Sequence, residues 1–255
     1  MKTVVVTGST SGIGLGIARA FAREKYTVVI NGISDYGAGL ARELQSEFGV
    51  SCFYSDANLK TKEGVKALID FSHGKLGTIG VLINNAGLQH VSSIEDFPDD
   101  KWDEIIAVNM SSVFHAIKHV MPGMKSRKWG RIINISSVHG LVASEYKAAY
   151  VTAKHGVIGL SKVVALEGAP FGITCNSICP GYVKTPLVEG QIKDQAKTHG
   201  ISEEDVIKKV LLAKHAIKDF VSIEAVAKMC LMLVSEDAAL ITGSALTIDG
   251  GWTAS

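Results

Sequence analysis

The sequence has no strong charge imbalance and no long apolar run. Its 26 Lys and Arg residues almost equal its 25 Asp and Glu residues, giving a formal net charge of +1. Because proteins that bind nucleic acid usually carry a basic patch, this balance predicts no nucleic-acid partner. No stretch reaches the roughly 18 apolar residues of a membrane span. The amino terminus enters a strand pattern without the apolar region of a signal peptide, so we expect a cytoplasmic protein without membrane contact.

Patterns typical of metal sites are also missing. The four cysteines lack zinc-ligand spacing, and we interpret them as buried reduced thiols. They are Cys52, Cys175, Cys179 and Cys230. His115 and His119 could in principle share a metal ion, but no carboxylate stands beside them between Ser111 and Met121. We expect these histidines on a packed or interfacial helix face, and we expect no metal.

What the sequence does contain is a regular alternation of strand and helix patterns. Short apolar runs are followed by amphipathic stretches, with no linker and no internal repeat. This alternation predicts the α/β class: one domain over residues 1–255, with a Rossmann-type, doubly wound, mostly parallel sheet and helices on both faces. The predicted strands are Val4–Val6, Thr27–Asn31, Ser51–Tyr54, Ile79–Ile83, Ile132–Ser137, Ile173–Cys179 and Ala245–Ile248.

A glycine-rich loop directly follows the first strand. Gly8, Gly12 and Gly14 have the spacing G-x-x-x-G-x-G and precede an amphipathic helix. Strand, glycine turn and helix form the context of a phosphate-binding loop. Gly8 would allow a tight turn, Gly12 the approach of backbone to a pyrophosphate, and Gly14 close packing of helix on strand. This loop, including Ser11 and Ile13, is predicted to bind a dinucleotide.

The end of the second strand normally selects between NAD and NADP. Here it reads Asn31-Gly32-Ile33-Ser34-Asp35, and neither this segment nor the glycine loop holds a Lys or Arg to neutralise a 2′-phosphate. This favours NAD, although the usual acid at the strand end is also missing. Asp35 either substitutes for that acid or caps the helix predicted over Tyr36–Phe48. Ile33 is predicted to contact the cofactor.

Other predicted strands also end in small or polar residues, at the edge where a doubly wound sheet binds its ligand. Asp56, beside Ala57, could accept a hydrogen bond from an adenine amino group. Asn85, Ala86 and Gly87 could let the backbone approach a ribose. Further along, the segment 183–221 is polar and weakly periodic, which predicts a helical lid over a substrate site.

The segment after the fifth strand holds a candidate acid–base pair. Tyr150 and Lys154 are four residues apart, so a helix would place both side chains on one face. A phenol acts as a general base at neutral pH only if a cation stabilises its phenolate, and Lys154 is a candidate for that cation. Ser137 could hold the same substrate oxygen. A helix predicted from Pro98 carries Asn109 among apolar neighbours, and a buried asparagine needs partners.

Together and in order, these motifs resemble those of the short-chain dehydrogenase/reductase family over essentially the whole chain. The resemblance implies that Tyr150 is the general acid/base, that Ser137 positions the substrate oxygen, and that Lys154 lowers the phenol pKa while holding the nicotinamide ribose. It also implies that Asn109 anchors a proton-relay water. The motifs are Thr7-Gly8-x-x-x-Gly12-x-Gly14, Asn84-Asn85-Ala86-Gly87, Asn109, Ser137, Tyr150-x-x-x-Lys154 and Pro180-Gly181. Further cofactor contacts are expected from Pro180, Gly181, Val183 and Thr185.

Residues around the predicted mouth indicate a small carboxylate substrate. One cation, one histidine and two amides are available there, on Gln89, His139, Lys147 and Gln191. Several segments resemble the subfamily of bacterial D-3-hydroxybutyrate dehydrogenases: Gly8–Ala18, Gly87–His90, Ser137–Ala143 and Asp249–Ala254. That resemblance implies exchange of (R)-3-hydroxybutyrate and acetoacetate with NAD, and carboxylate binding by the four polar residues.

The same resemblance implies aromatic contacts to the methyl end of the substrate. Trp252 fits this role, whereas Tyr182 stands where the subfamily leads us to expect tryptophan. We therefore predict an altered methyl pocket in which 3-hydroxyvalerate competes better. A homotetramer is also implied, with the helices Ser111–Met121 and Ala148–Ala169 as contacts.

Two other functions fit the same fold. An NADP-dependent 3-oxoacyl reductase would share the acid–base residues, but it would need a basic residue near the glycine loop or the second strand. A catalytically idle NAD-binding regulator would have no physical need for Tyr150 and Lys154 together.

Overall fold

The strands of the computed structural model lie close to their predicted positions. It describes residues 2–185, 188–189, 192, 196 and 200–254. The strands are β1 Thr3–Val6, β2 Thr27–Asn31, β3 Cys52–Ser55, β4 Val81–Asn84, β5 Gly130–Ile135, β6 Ile173–Pro180 and β7 Ala245–Ile248. They form one parallel sheet in the order β3-β2-β1-β4-β5-β6-β7. The order of connection reverses between β1 and β4, and the crevice at their carboxyl ends is the expected ligand site.

Helices cover both faces of this sheet, as predicted for a doubly wound fold. Phe21 packs on the face that holds Val4, whereas Leu68 and Val157 pack on the opposite face with Val5. Successive residues of β1 thus contribute to two separate cores, which is why the strand is apolar throughout. The helices are α1 Gly12–Arg23, α2 Gly37–Phe48, α3 Lys62–Leu76, α4 Asp99–Ile106, α5 Ser112–Arg127 and α6 Ala148–Gly168, with a later one over Ile223–Val234.

Two helical segments at the carboxyl edge of the sheet depart from α geometry. A π-helical segment, Ala107–Ser111, joins α4 to α5, and a 3-10 turn, Val138–Gly140, follows β5. The sequence predicted a helix through this region but not the change of pitch, because one wider turn alters the apolar periodicity too little to be recognised. Such π segments recur at functional sites.

The segment 183–221 has its own small apolar core beside the sheet. A single bridge pairs Val183 with Val221 at its base. A short helix, Glu203–Val206, continues into a π segment, Ile207–Leu211, and the described residue Ile192 packs with this part of the chain. The described residues Ile192, Val206 and Leu211 thus form a small cluster of their own, whereas Val183 and Val221 pack in the main core.

The four cysteines are buried and free, as predicted. Among the described residues, no helix is both long and apolar enough to cross a membrane. In the same part of the chain, no group of three or more His, Cys, Asp or Glu side chains could hold a metal ion.

Candidate active site

The glycine loop crosses the end of β1 and opens α1. Gly8 has a φ of +58°, and a Cβ there would lie 2.7 Å from the Cα of Ala86, so the turn requires glycine. A Cβ on Gly14 would lie 2.3 Å from the carbonyl oxygen of Gly8 and 2.4 Å from Nδ2 of Asn85. The tight turn and the close packing of helix on strand that the sequence predicted are both present.

Polar residues at the strand ends tie this loop to its neighbours. Asn31 accepts a hydrogen bond from the Gly8 amide (3.4 Å) and donates to the carbonyls of Ser55 (3.1 Å) and Ala57 (3.0 Å). Asn85 donates to the carbonyl of Gly8 (2.8 Å). Asn31 stands at the position that normally selects the cofactor, and its side chain therefore makes its hydrogen bonds to the backbone.

A cavity of about 520 Å³ lies between the glycine loop and the ends of β2, β3 and β4. Most of the predicted cofactor residues line it: Gly8, Ser11, Gly12, Ile13, Ile33, Ala57, Asn85, Ala86, Gly87 and Thr185. Asp56 is exposed and outside this lining, whereas the residues that follow it, Ala57 to Lys60, line the cavity. The predicted adenine acceptor is thus not brought to the cavity.

Asp35 takes neither of its two predicted roles. It is exposed and outside the lining of the cavity. Helix α2 begins at Gly37 after Tyr36, with no side-chain cap. The turn between Ser34 and Gly37, closed by a backbone hydrogen bond of 3.3 Å, directs the chain into the helix without help from this carboxylate.

One cation lining the larger cavity was missed by sequence reasoning. Lys60 lines the cavity and forms an ion pair with Glu104, which also pairs with Lys101 (3.1 Å). Hydrogen bonds from Lys60 and then Lys101 lower the pKa of Glu104. The position of Lys60 shortly after the end of β3 was the signal that could have found it.

Tyr150, Lys154 and Ser137 meet beside the end of β5. Helix α6 begins at Ala148, so Tyr150 lies in its first turn and Lys154 one turn later. Nζ of Lys154 is buried, donates to the carbonyl of Ile135 (2.7 Å) and lies 5.5 Å from the centroid of the Tyr150 ring. Ser137 is hydrogen-bonded to Tyr150 and accepts from the amide of His139 (3.2 Å).

Burial is the largest influence on the pKa values of Tyr150 and Lys154. Burial raises the pKa of Tyr150; its hydrogen bond with Ser137 opposes this effect, and the nearby Tyr182 adds to it. Burial lowers the pKa of Lys154 to about 8. Nζ of Lys154 donates to the carbonyl of Ile135, and the lowering of the phenol pKa by Lys154 that the family resemblance implies stays a prediction.

Asn109 is buried in the π segment and bound to the opposite side of the crevice. Its Oδ1 accepts from the amide of Leu88 (2.7 Å), and its Nδ2 donates to the carbonyl of the same residue (2.8 Å). The side chain therefore holds the loop that carries Gln89. The relay role implied by the family resemblance stays a prediction, because Leu88 uses both ends of the amide.

A second cavity, of about 170 Å³, adjoins the first at Ile13, Gly87 and Thr185. It brings together three of the four candidate catalytic residues, without Asn109, and nearly all predicted substrate residues. These lining residues are Gln89, Ser137, His139, Lys147, Tyr150, Lys154, Pro180, Gly181, Tyr182, Val183 and Trp252. Gln191 lies outside the described residues.

One end of this smaller cavity is positively charged. Burial, followed by the charge of Lys214, lowers the pKa of Lys147. Burial, followed by the charges of Lys147, Lys214 and His155, lowers the pKa of His139 to about 3. His139 is therefore neutral at neutral pH, with Nε2 hydrogen-bonded to Ser144 (2.9 Å). Nε2 of Gln89 is buried and has no hydrogen-bond partner among the described residues.

Aromatic rings form the adjoining wall. Trp252 stacks on Tyr182 (5.7 Å, 21°) and meets His139 edge-on (5.3 Å, 82°). Two residues that sequence reasoning missed belong to this wall: Lys214 lies over Trp252 (5.6 Å), and the buried His215 stacks on Tyr182 (6.1 Å). Both come from the weakly periodic segment, where the sequence carries no pattern that marks them.

Residues 2–196, which include the phosphate-binding loop and the Ser-Tyr-Lys cluster, match the family model described as short chain dehydrogenase. The chain belongs to this family. It is an oxidoreductase that binds a nicotinamide cofactor and acts on a small molecule.

Individual relatives match along nearly the full length. The D-beta-hydroxybutyrate dehydrogenase of Rhizobium meliloti (strain 1021) is 50% identical over 255 residues, covering 99% of both chains. The protein of that name from Cupriavidus necator is 44% identical over 253 residues, covering 99% of this chain and 98% of its own. The crystal structure of L-sorbose reductase from Gluconobacter frateurii, complexed with NADPH and L-sorbose, has a TM-score of 0.94 at 31% identity and covers 100% of this chain and 97% of its own. The family resemblance and the doubly wound fold are confirmed.

Proposed function

We propose that this chain is an NAD-dependent dehydrogenase that interconverts (R)-3-hydroxybutyrate and acetoacetate, with Tyr150 as general acid/base. The observation that carries the proposal is the charged end of the smaller cavity, which stands beside Ser137, Tyr150 and Lys154. The names of the relatives from Rhizobium meliloti and Cupriavidus necator support it.

A short carboxylate would satisfy the groups at this end. Lys147 has a long hydrogen bond to Oη of Tyr182 (3.4 Å), and Nε2 of Gln89 is a buried donor without a partner among the described residues. A buried donor left unpaired is unfavourable by about 1–3 kcal/mol, and hydrogen bonds to a charged acceptor are the stronger kind. An anion bound here would therefore accept hydrogen bonds from both side chains, and neutral His139 adds a polar contact. Gln191 is expected to join them.

The residues around the reacting carbon have separate roles in proton transfer and in substrate orientation. In the oxidation, Tyr150 acts as its phenolate, which the ammonium of Lys154, 5.5 Å from the ring centroid, would stabilise. It accepts the hydroxyl proton of the substrate while Ser137 donates a hydrogen bond to the same oxygen. The bound nicotinamide supplies the hydride acceptor in this direction and the hydride donor in reverse. Lys147 holds the carboxylate so that one face of C3 is presented. In the reduction, Tyr150 returns its proton to the forming hydroxyl.

The larger cavity has the features that a dinucleotide requires. Its glycine turn admits no Cβ at Gly8, and helix α1 begins at Gly12 with its free amides directed at the loop. NAD is favoured because Lys60, the one cation among the described residues of the lining, is already paired with Glu104. A 2′-phosphate would have to compete with that carboxylate.

Exposed apolar side chains support the expected homotetramer. Phe114 on α5 and Val163 and Leu166 on α6 are 46%, 53% and 78% exposed. These helices are the contacts predicted from the family resemblance. The 183–221 segment is retained as the substrate lid within a single 1–255 domain, and a cytoplasmic location remains the expectation.

The proposal is tested by following NADH absorbance with (R)- and (S)-3-hydroxybutyrate, each with NAD and with NADP. We expect turnover with the (R) acid and NAD alone. Turnover with NADP only would overturn the cofactor assignment. Reduction of a 3-oxoacyl thioester in preference to acetoacetate would favour the 3-oxoacyl reductase, and NADH binding without any turnover would favour the idle regulator.

A further inference from the structure

Tyr182 is held in one orientation between the aromatic wall and the charged end of the smaller cavity. Its ring stacks on Trp252 (5.7 Å) and on His215 (6.1 Å). Its backbone amide donates to Nε2 of His215 (3.4 Å), and its carbonyl accepts from the amide of Val221 (2.9 Å). Because ring and backbone are both held, the direction of the hydroxyl is set as well.

That hydroxyl is directed at Lys147. Nζ of Lys147 donates to Oη of Tyr182 at 3.4 Å and lies 5.6 Å from the ring centroid. Burial raises the pKa of Tyr182, so the phenol keeps its proton at neutral pH. A phenol oxygen that accepts from a lysine still has its own O–H to donate. Both side chains line the smaller cavity, where an acceptor for that proton would stand.

We propose that the hydroxyl of Tyr182 donates a hydrogen bond to the substrate carboxylate, beside Lys147 and Gln89, and so increases the preference for an anionic substrate. The inference rests on the proposed function. It replaces the sequence-based interpretation of Tyr182 as part of an altered methyl pocket, because a group that hydrogen-bonds Lys147 belongs to the carboxylate side. Trp252 remains as the apolar wall, in edge-on contact with His139.

Tyr182→Phe removes the hydroxyl and keeps the ring. We expect the dissociation constant of butyrate, measured by titration calorimetry on the full chain with saturating NAD, to rise about tenfold, since hydrogen bonds to charged groups are of that strength. The dissociation constant of uncharged butyramide should rise only about two- to threefold, because a hydrogen bond to a neutral carbonyl oxygen is weaker than one to a carboxylate. In turnover, KM for (R)-3-hydroxybutyrate should rise while kcat changes little.

Tyr146→Phe is the matched control, because that tyrosine is 57% exposed on the segment just before Lys147. It should bind butyrate as the wild type does. Tyr182→Trp keeps a stacking ring without a phenol, so it should lose butyrate affinity to the same extent. It also provides the comparison if the phenylalanine variant does not fold.

Equal butyrate affinity in Tyr182→Phe and wild type would overturn the inference. An equal loss for butyrate and butyramide would also overturn it, because that pattern indicates a collapsed cavity rather than a lost donor. A wild-type protein that binds butyrate but turns over neither enantiomer of 3-hydroxybutyrate would refute the proposed function alone. A wild-type protein that does not bind butyrate would refute both.

Discussion

The larger and the smaller cavity form the dinucleotide end and the substrate end of one cleft, and the two ends differ in whether their polar groups are paired. At the dinucleotide end, Asn31 and Asn85 bind backbone groups of neighbouring strands, and Lys60 is neutralised by Glu104. At the substrate end, burial and then the charge of Lys214 lower the pKa of Lys147, and the buried donor of Gln89 has no partner among the described residues. The polar groups named at the dinucleotide end are paired within the protein, whereas those at the substrate end would gain hydrogen bonds and an opposite charge from a bound anion.

This difference separates stability from selectivity. Polar groups that bind one another stabilise the loop that must receive any nicotinamide dinucleotide. Like charges held close together destabilise the protein slightly, but they raise the local potential and attract a substrate of opposite charge. Changes at the dinucleotide end should therefore affect folding, and changes at the substrate end should affect catalysis and binding.

Tyr150→Phe is expected to give the largest loss of activity with little change in stability. Removing the phenol oxygen removes the group that accepts and returns the proton, so turnover should fall by about 10³-fold or more. The midpoint of thermal unfolding and the affinity for NADH should change little, because the ring still fills its place. Steady-state rates together with NADH titration measure both effects. A variant that kept most of its activity would refute the assignment of Tyr150.

Asn31→Ala tests the opposite end. It removes the side-chain partner of the Gly8 amide and of the carbonyls of Ser55 and Ala57, although the Ser55 carbonyl still accepts from the amide of Gly32 (3.3 Å). The free energy of unfolding in urea should fall by about 2–4 kcal/mol. Asn58→Ala, on an exposed residue after β3 that accepts one hydrogen bond from the amide of Lys60, should change it by less than about 1 kcal/mol. Equal losses in the two variants would show that the internal hydrogen bonds of Asn31 do not matter.

The neutral state of His139 should make the free energy of unfolding depend on pH below about 6.5. Its pKa is about 3 in the folded protein, against about 6.5 when unfolded. Between these values the unfolded chain binds a proton that the folded chain does not, so the free energy of unfolding decreases as pH falls. From pH 6.5 to about 4.5, wild type should lose about 2 kcal/mol more than His139→Gln. Parallel curves for the two proteins would refute this protonation state.

Lys147→Ala removes a cation that lines the smaller cavity together with the unpaired amide of Gln89. KM for (R)-3-hydroxybutyrate should rise by roughly 10- to 100-fold, with a smaller effect on kcat, because the lost contact is made in both ground and transition states. Lys62→Ala is a suitable control, since that side chain is 72% exposed at the start of α3. An unchanged KM would refute the carboxylate assignment.

The smallest effect is expected from Lys214→Ala. This lysine is exposed, so its influence on an anion is largely screened, and kcat/KM should fall only about two- to threefold. The decrease of kcat/KM with added salt should be shallower in the variant than in wild type. An identical salt dependence would show that Lys214 takes no part in attracting the substrate.

Much of the fold and part of the site could be predicted because they depend on local patterns. β2 and β7 have the predicted bounds, since each is an apolar run closed by a turn residue. Tyr150 and Lys154 face one cavity because a four-residue spacing on a helix brings them together. Gly8 and Gly14 could be assigned because each role excludes a side chain.

The remaining features depend on which distant segments meet. Lys60 could not be assigned an ion pair without knowing that α4 brings Glu104 to the end of β3. Lys214 and His215 reach Trp252 from an irregular stretch that has no periodicity. The direction of the Lys154 ammonium, toward the carbonyl of Ile135, likewise follows from packing and not from spacing.

The π segment between α4 and α5 makes this region sensitive to the number of residues in the chain. Its hydrogen bonds span one residue more than those of an α-helix, so the turn contains an extra residue. Deleting a single residue between Ala107 and Ser111 would restore ordinary pitch and rotate Asn109 by about 100° relative to the helix that follows. The helix would survive this deletion, but the contacts to Leu88 would be lost. Substitutions elsewhere in α4 and α5 can be absorbed locally, whereas a change of length in this turn would alter the register of the site.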